Sequence, residues 1–140
     1  LSLFSILPVF TSCNKEEAKV IKPVVISTWK FGMQANEAAW KVLSTGGRAL
    51  DAVEKGVNVT DADVSNSTVG IGGTPDEQGF VTLDACIMDE TGDCGSVAFL
   101  QNIVHPVSVA RKVMEETRHI MLVGKGAEEF AYKMGSVSCA

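Results

Sequence analysis

Two β-forming runs, residues 80–89 and 94–100, are separated only by Glu90-Thr91-Gly92-Asp93. So short a stretch of turn chemistry predicts that the runs pair as an antiparallel hairpin. If Asp89 faces Cys94 across the turn, Cys86 faces Val97. Period-two alternation then puts Cys86 and Cys94 on opposite faces of the sheet, which argues against a disulfide between them.

The other elements are read outward from the hairpin. Residues 23–27, Pro-Val-Val-Ile-Ser, are β-branched and suit a short buried strand, and 28–32 leave the sheet. Helix formers accumulate over 35–43 and Gly46-Gly47 ends that helix. A second helix spans 48–59, with Ala49, Val53 and Val57 on one stripe and Asp51, Glu54 and Lys55 away from it. Residues 61–75 are a loop punctuated by Asn66, Gly70, Gly72, Gly73 and Pro75. Pro106 starts a third helix that buries Val107, Ala110, Val113 and Met114 and turns Arg111, Lys112, Glu115 and Glu116 to water. Residues 120–123 form another buried strand, 124–126 a turn, and 127–134 a helix stopped by Gly135. Strands and helices do not alternate strictly, so the fold class is α+β, with helices layered on antiparallel sheet.

Composition sets outer bounds. The 140 residues suffice for one core, and 46% hydrophobic against 21% charged is the balance of a globular chain. A net charge of −5 without a basic cluster opposes nucleic acid as a partner. Cys13, Cys86, Cys94 and Cys139 include no C-x-x-C pair, and His105 and His119 read as surface or capping residues, so no metal site is indicated.

The first residues read as export rather than fold. Residues 1–10 are an apolar run too short to span a bilayer, as a signal-peptide core would be. Phe10-Thr11-Ser12-Cys13 resembles a lipobox whose cysteine is lipidated, and Asn14-Lys15-Glu16-Glu17 a polar tether. Residues 1–22 are thus expected to be a truncated lipoprotein signal peptide and tether, and 23–140 the folded part. The expected location is the bacterial periplasm or its membrane surface.

Local motifs carry little chemistry. Gly124-Lys125-Gly126 lacks the spacing and following hydroxyl of a P-loop, and Val69-Gly70-Ile71-Gly72-Gly73 lacks the dinucleotide-binding spacing. There is no G-x-S-x-G elbow. What remains is a polar and aromatic loop, Thr28-Trp29-Lys30-Phe31-Gly32, directly after the first expected strand.

Longer wording is more informative. Ser27-Thr28-Trp29-x-Phe31-Gly32 is followed by Ala39-Trp40-x-Val42-Leu43, then by Gly47-x-Ala49-Leu50-Asp51-Ala52-Val53-Glu54-Lys55-Gly56. Further on stand Val69-Gly70-x-Gly72-Gly73-x-Pro75-Asp76 and Thr82-Leu83-Asp84-Ala85-Cys86-Ile87-Met88-Asp89. Gly95-Ser96-Val97-Ala98, Pro106-x-Ser108-Val109-Ala110-Arg111-x-Val113-Met114 and Met121-Leu122-Val123-Gly124 complete the series. In this order the segments resemble the start of the glycosylasparaginase family of N-terminal nucleophile hydrolases, over nearly all of 22–135.

The resemblance implies part of an αββα four-layer sandwich, made as a precursor that cuts itself before a threonine. That threonine is then nucleophile, and its own α-amino group the base. The implied activity is N4-(β-N-acetylglucosaminyl)-L-asparaginase, an amidohydrolase acting on glycosylated asparagine without metal or organic cofactor. The family's threonine and its oxyanion-binding residues match nothing in this sequence, so it is expected to be an α-chain fragment, inactive alone. Three substrate-pocket positions carry over: Trp29, its aromatic neighbour Phe31, and Thr68 in place of a family serine. The implied partners are the glycosylated asparagine, the C-terminal β-chain part and a lipid anchor at Cys13, and a homo-oligomer is left open. The alternatives are an L-asparaginase or isoaspartyl peptidase of the same superfamily, and a non-catalytic exported lipoprotein.

Overall fold

The computed structural model describes residues 22–136. Its elements run α1 (Gly32–Leu43), α2 (Ala49–Asp61), a 3-10 turn (Gly70–Gly72), β1 (Leu83–Met88), β2 (Cys94–Leu100), α3 (Pro106–Glu116), β3 (Met121–Val123) and α4 (Gly124–Lys133). The expectations for Cys13 and for the 1–22 leader lie outside the described residues, apart from Lys22.

The strands form one sheet in the order β1-β2-β3. β1 and β2 are antiparallel, while β2 and β3 are parallel and joined through α3. The α+β class stands, but the sheet is mixed rather than antiparallel. α2, α3 and α4 contribute to one core with the strands, whose buried members include Leu50, Ile87, Val97, Leu100, Val109, Val113 and Ala131. The opposite sheet face is open, and Met88, Met121 and Val123 stand 64%, 53% and 56% exposed.

The hairpin forms as expected, with its register corrected by one residue. Leu83 pairs with Leu100, as the Asp89–Cys94 alignment predicts, but Cys86 pairs with Ser96 and Met88 with Cys94. A β-bulge between these two stretches absorbs the difference. Phe99 sits there at φ +54, and its N–H, out of the ladder, bonds Asp84 Oδ1 at 2.8 Å. Beside the turn the shift reverses the face assignment, so Cys86 and Cys94 share the open face, and among the described residues neither is in a disulfide.

Other differences have equally local causes. Residues 23–27 form no strand, because no neighbouring strand among the described residues takes their backbone bonds. They lie instead over α1 and α2, leaving Val24 and Ile26 72% and 85% exposed. α1 starts earlier than its composition suggests and ends in a Schellman closure. Gly46 takes φ +81, with Gly47 N–H on Val42 O and Gly46 N–H on Leu43 O, both at 3.0 Å.

α2 buries Leu50, Ala52, Gly56 and Thr60, and of the expected stripe only Val57 packs against the core, while Ala49 and Val53 are exposed beside the 24–27 segment. Asp51, Glu54 and Arg111 do not simply face water. Arg111 bonds Asp51 at 2.6 Å, Glu54 at 2.7 Å and Glu115 at 2.9 Å, clamping α3 to α2. β3 is not buried, since at the rim of the sheet only Leu122 turns toward the core. The turn expected over 124–126 shrinks to one residue: Gly124 takes φ +58 and α4 begins there.

Candidate functional site

Trp29 and Phe31 stand in the turn that delivers the chain into α1. Gly32 N–H bonds Trp29 O at 2.9 Å and Met33 N–H bonds Lys30 O at 3.2 Å, so two backbone bonds close the turn. Ser27 Oγ, just before it, donates to Asn36 Oδ1 on α1. Trp29 projects with 66% of its surface exposed, whereas Phe31 is half-buried at the N-cap position.

Thr68 is exposed in the loop between α2 and β1, and its N–H bonds Asn66 Oδ1 at 2.9 Å. Glycine is required next to it. A Cβ at Gly70 would collide with Asp61 backbone, and one at Gly72 would meet the carbonyls of Val64, Asn66 and Asp63 at 2.6 to 2.8 Å. This loop therefore coils on itself and shows Thr68 outward.

Trp29 and Phe31 share one turn and Thr68 belongs to another. A cleft of about 300 Å³ beside α1 and α2 is lined by Val24, Val25, Ile26, Ala39, Val53 and Val57 among others, and is mostly apolar. None of Trp29, Phe31 and Thr68 lines it. Its polar groups include the paired Ser27 and Asn36, which makes it a packing surface more than a site of bond cleavage.

The groups with perturbed chemistry lie elsewhere and carry no sequence signal. Asp61 at the end of α2 is buried, and burial pushes its carboxyl up to about 7 against the opposing bond from Val107 N–H. Among the described residues Asp61 Oδ2, Asn66 Nδ2 and His105 Nδ1 have no partner. Burial lowers the His105 imidazole from its ordinary range, with Glu54 opposing and Lys55 adding. His105 holds the N-cap position of α3 without a side-chain capping bond. Nothing in the D-A-D wording around Asp61 marks it as buried; only the packing of α3 over the end of α2 does. Among the described residues no three His, Cys, Asp or Glu side chains gather as metal ligands would, and no helix is long and apolar enough to cross a membrane.

Comparison with known proteins supplies what local geometry does not. The family model described as Asparaginase matches residues 12–139. An N(4)-(beta-N-acetylglucosaminyl)-L-asparaginase of Elizabethkingia miricola is 61% identical over 114 residues, covering 81% of this chain and 34% of the relative. Proteins of the same name from Rattus norvegicus and Mus musculus are each 51% identical, over 117 and 114 residues, covering 83% and 81% of this chain. They are covered to 34% and 33% of their own length, so the chain spans about a third of the relatives it matches. On these matches the chain belongs to the asparaginase family.

Proposed function

We propose that this chain is the N-terminal, α-chain part of an enzyme that hydrolyses the amide between an asparagine side chain and N-acetylglucosamine. The observation that carries the reading is the 61% identity over 114 residues to a protein of that name. The bond broken is a linear amide. In this reading the nucleophile is a threonine freed by self-cleavage, whose hydroxyl attacks while its own amine takes the proton. That residue belongs to the β-chain part of the precursor, and the present chain supplies walls of the pocket.

The structure fits that division of labour. Trp29, fixed by a short closed turn and widely exposed, offers a rigid aromatic face to a substrate, with Phe31 supporting it from the N-cap of α1. Thr68 presents its side chain on a loop held by Asn66 and packed glycines, ready to bond a polar substrate group. The open sheet face carrying Met88, Met121 and Val123 is where a second sheet would complete an αββα sandwich. Lipidation at Cys13, holding the enzyme at the outer face of a bacterial membrane, belongs to the same proposal.

The test is direct. The protein as its gene encodes it is incubated with N4-(β-N-acetylglucosaminyl)-L-asparagine, with aspartate release followed in solution and chain cleavage before a threonine followed by mass spectrometry. Hydrolysis with Trp29→Phe raising KM more than it lowers kcat supports the reading. Turnover of free asparagine or isoaspartyl peptide, with the glycosylated substrate untouched, replaces it with the sibling activity. Loss of acyl labelling in Cys13→Ser tests the anchor.

A further inference from the structure

Ser27 is where the segment before α1 meets the helix. Gly32 and Asn36 stand one turn apart on one face of α1, and both address it. The Ser27 hydroxyl donates to Asn36 Oδ1, and a Cβ added at Gly32 would collide with Ser27 Cβ. Between these anchors only residues 28–31 remain, closed by the two backbone bonds from Gly32 and Met33. Trp29 leaves this turn with most of its surface in solvent, so burial does not fix its direction. The backbone does, and the Ser27–Asn36 bond is the side-chain bond that ties the turn to the helix.

We propose that Asn36 is a positioning residue: by accepting the Ser27 hydroxyl it holds the 28–31 turn, and with it the Trp29 indole, in place for substrate. The functional half of this inference rests on the amidase reading above; the structural half stands alone. Asn36 also lines the apolar cleft beside Ala35 and Ala39, so leucine, similar in shape, fits there while offering no acceptor. Aspartate keeps an acceptor oxygen. The pair Asn36→Leu and Asn36→Asp therefore separates loss of the bond from loss of packing.

The experiment labels the protein, as its gene encodes it, with 5-fluorotryptophan and follows Trp29 by 19F NMR, its resonance assigned by its disappearance in Trp29→Phe. Trp40 lies on α1 and reports whether the helix is intact. In Asn36→Leu the Trp29 resonance should narrow and move toward that of a solvent-exposed mobile indole while that of Trp40 stays. Asn36→Asp should return it. In parallel, KM for the glycosylated asparagine should rise about threefold to tenfold in Asn36→Leu, the range one neutral hydrogen bond commands, with kcat within about twofold.

A Trp29 resonance unmoved by leucine, or moved equally by aspartate, overturns the latch. A moved resonance with unchanged KM overturns its role in positioning Trp29 for substrate. If the wild-type protein cleaves no glycosylated asparagine, the amidase reading fails while the resonances still decide the latch.

Discussion

Replacing Asp61 with asparagine should make this protein more stable at pH 8 than at pH 5 relative to wild type. Asp61 ends α2 at 5% exposure, its Oδ2 has no partner among the described residues, and a bond from Val107 N–H in the first turn of α3 favours the charged form. Burial outweighs that bond and raises the carboxyl from 3.8 to about 7. A raised folded-state value means the neutral form is preferred on folding. Its stabilisation is complete below about pH 3.8 and is lost as pH rises to about 7, beyond which the cost is constant. At about 1.4 kcal/mol per pH unit the full cost is roughly 4 kcal/mol.

Asparagine keeps an oxygen for Val107 N–H and does not titrate. It also buries an amide nitrogen where Oδ2 now lies, which costs about 1–3 kcal/mol at every pH. The change in the wild-type-to-variant difference between pH 5 and pH 8 cancels that constant and should come to roughly 2–3 kcal/mol in favour of asparagine. Urea unfolding midpoints at the two pH values measure it. Parallel pH dependence in the two proteins would show that Asp61 is already ionised or solvated in the fold, and the burial argument would be wrong.

Gly95→Ala should destabilise the fold by about 3 kcal/mol or more, because the new Cβ meets Ala110 O and the Met114 backbone where α3 lies on β2; the urea midpoint reports it. Arg111→Lys should cost about 1–3 kcal/mol by the same measurement, since one ammonium cannot reproduce the fork that reaches Asp51, Glu54 and Glu115 together. With Cys13, Cys94 and Cys139 changed to serine, Ser96→Cys should oxidise to a disulfide with Cys86, because directly paired residues lie about 4.5–5.5 Å apart at Cα. Val97→Cys in the same background should not; preferential bridging there, seen on a non-reducing gel, would restore the unbulged register.

The parts of the fold written in the sequence are those set by residues near in sequence. Pro106 at the start of α3, the Gly46-Gly47 closure of α1 and the hairpin around Gly92 each follow from a backbone requirement met within a few positions. What escaped depends on distant partners. The bulge at Asp84 and Phe99 follows from how β1 lies on β2, and no turn rule announces it. Residues 23–27 have strand-forming side chains but no strand beside them among the described residues. Arg111 looks like surface until α2 brings two carboxylates to it.

The candidate site divides the same way. That Trp29 occupies a turn before a helix was legible from Phe31-Gly32 followed by helix formers, and the structure places it there. Its assignment to a substrate pocket came from the wording of many ordered segments, a signal local chemistry could not give. Asp61 and Asn66 lay beyond both routes, because a carboxylate or amide shows no sign of burial until the loop around it closes.

The open sheet face leads to a last prediction. Met88, Met121 and Val123 alternate outward across β1 and β3. β1 and β3 are also the two rims of the sheet, with no strand beyond either among the described residues. Apolar side chains and unpaired backbone on one surface are what association selects for. Residues 23–140 expressed alone should therefore bind a hydrophobic dye such as anilinonaphthalene sulfonate and self-associate with rising concentration. Met121→Lys and Val123→Lys together should reduce both effects without changing the far-ultraviolet circular dichroism, because both side chains point away from the core. The charge acts only where the face is open, so sedimentation of 23–140 as a monomer with a cooperative melt, unaffected by the double substitution, would mean the face is closed by contacts this structure does not contain.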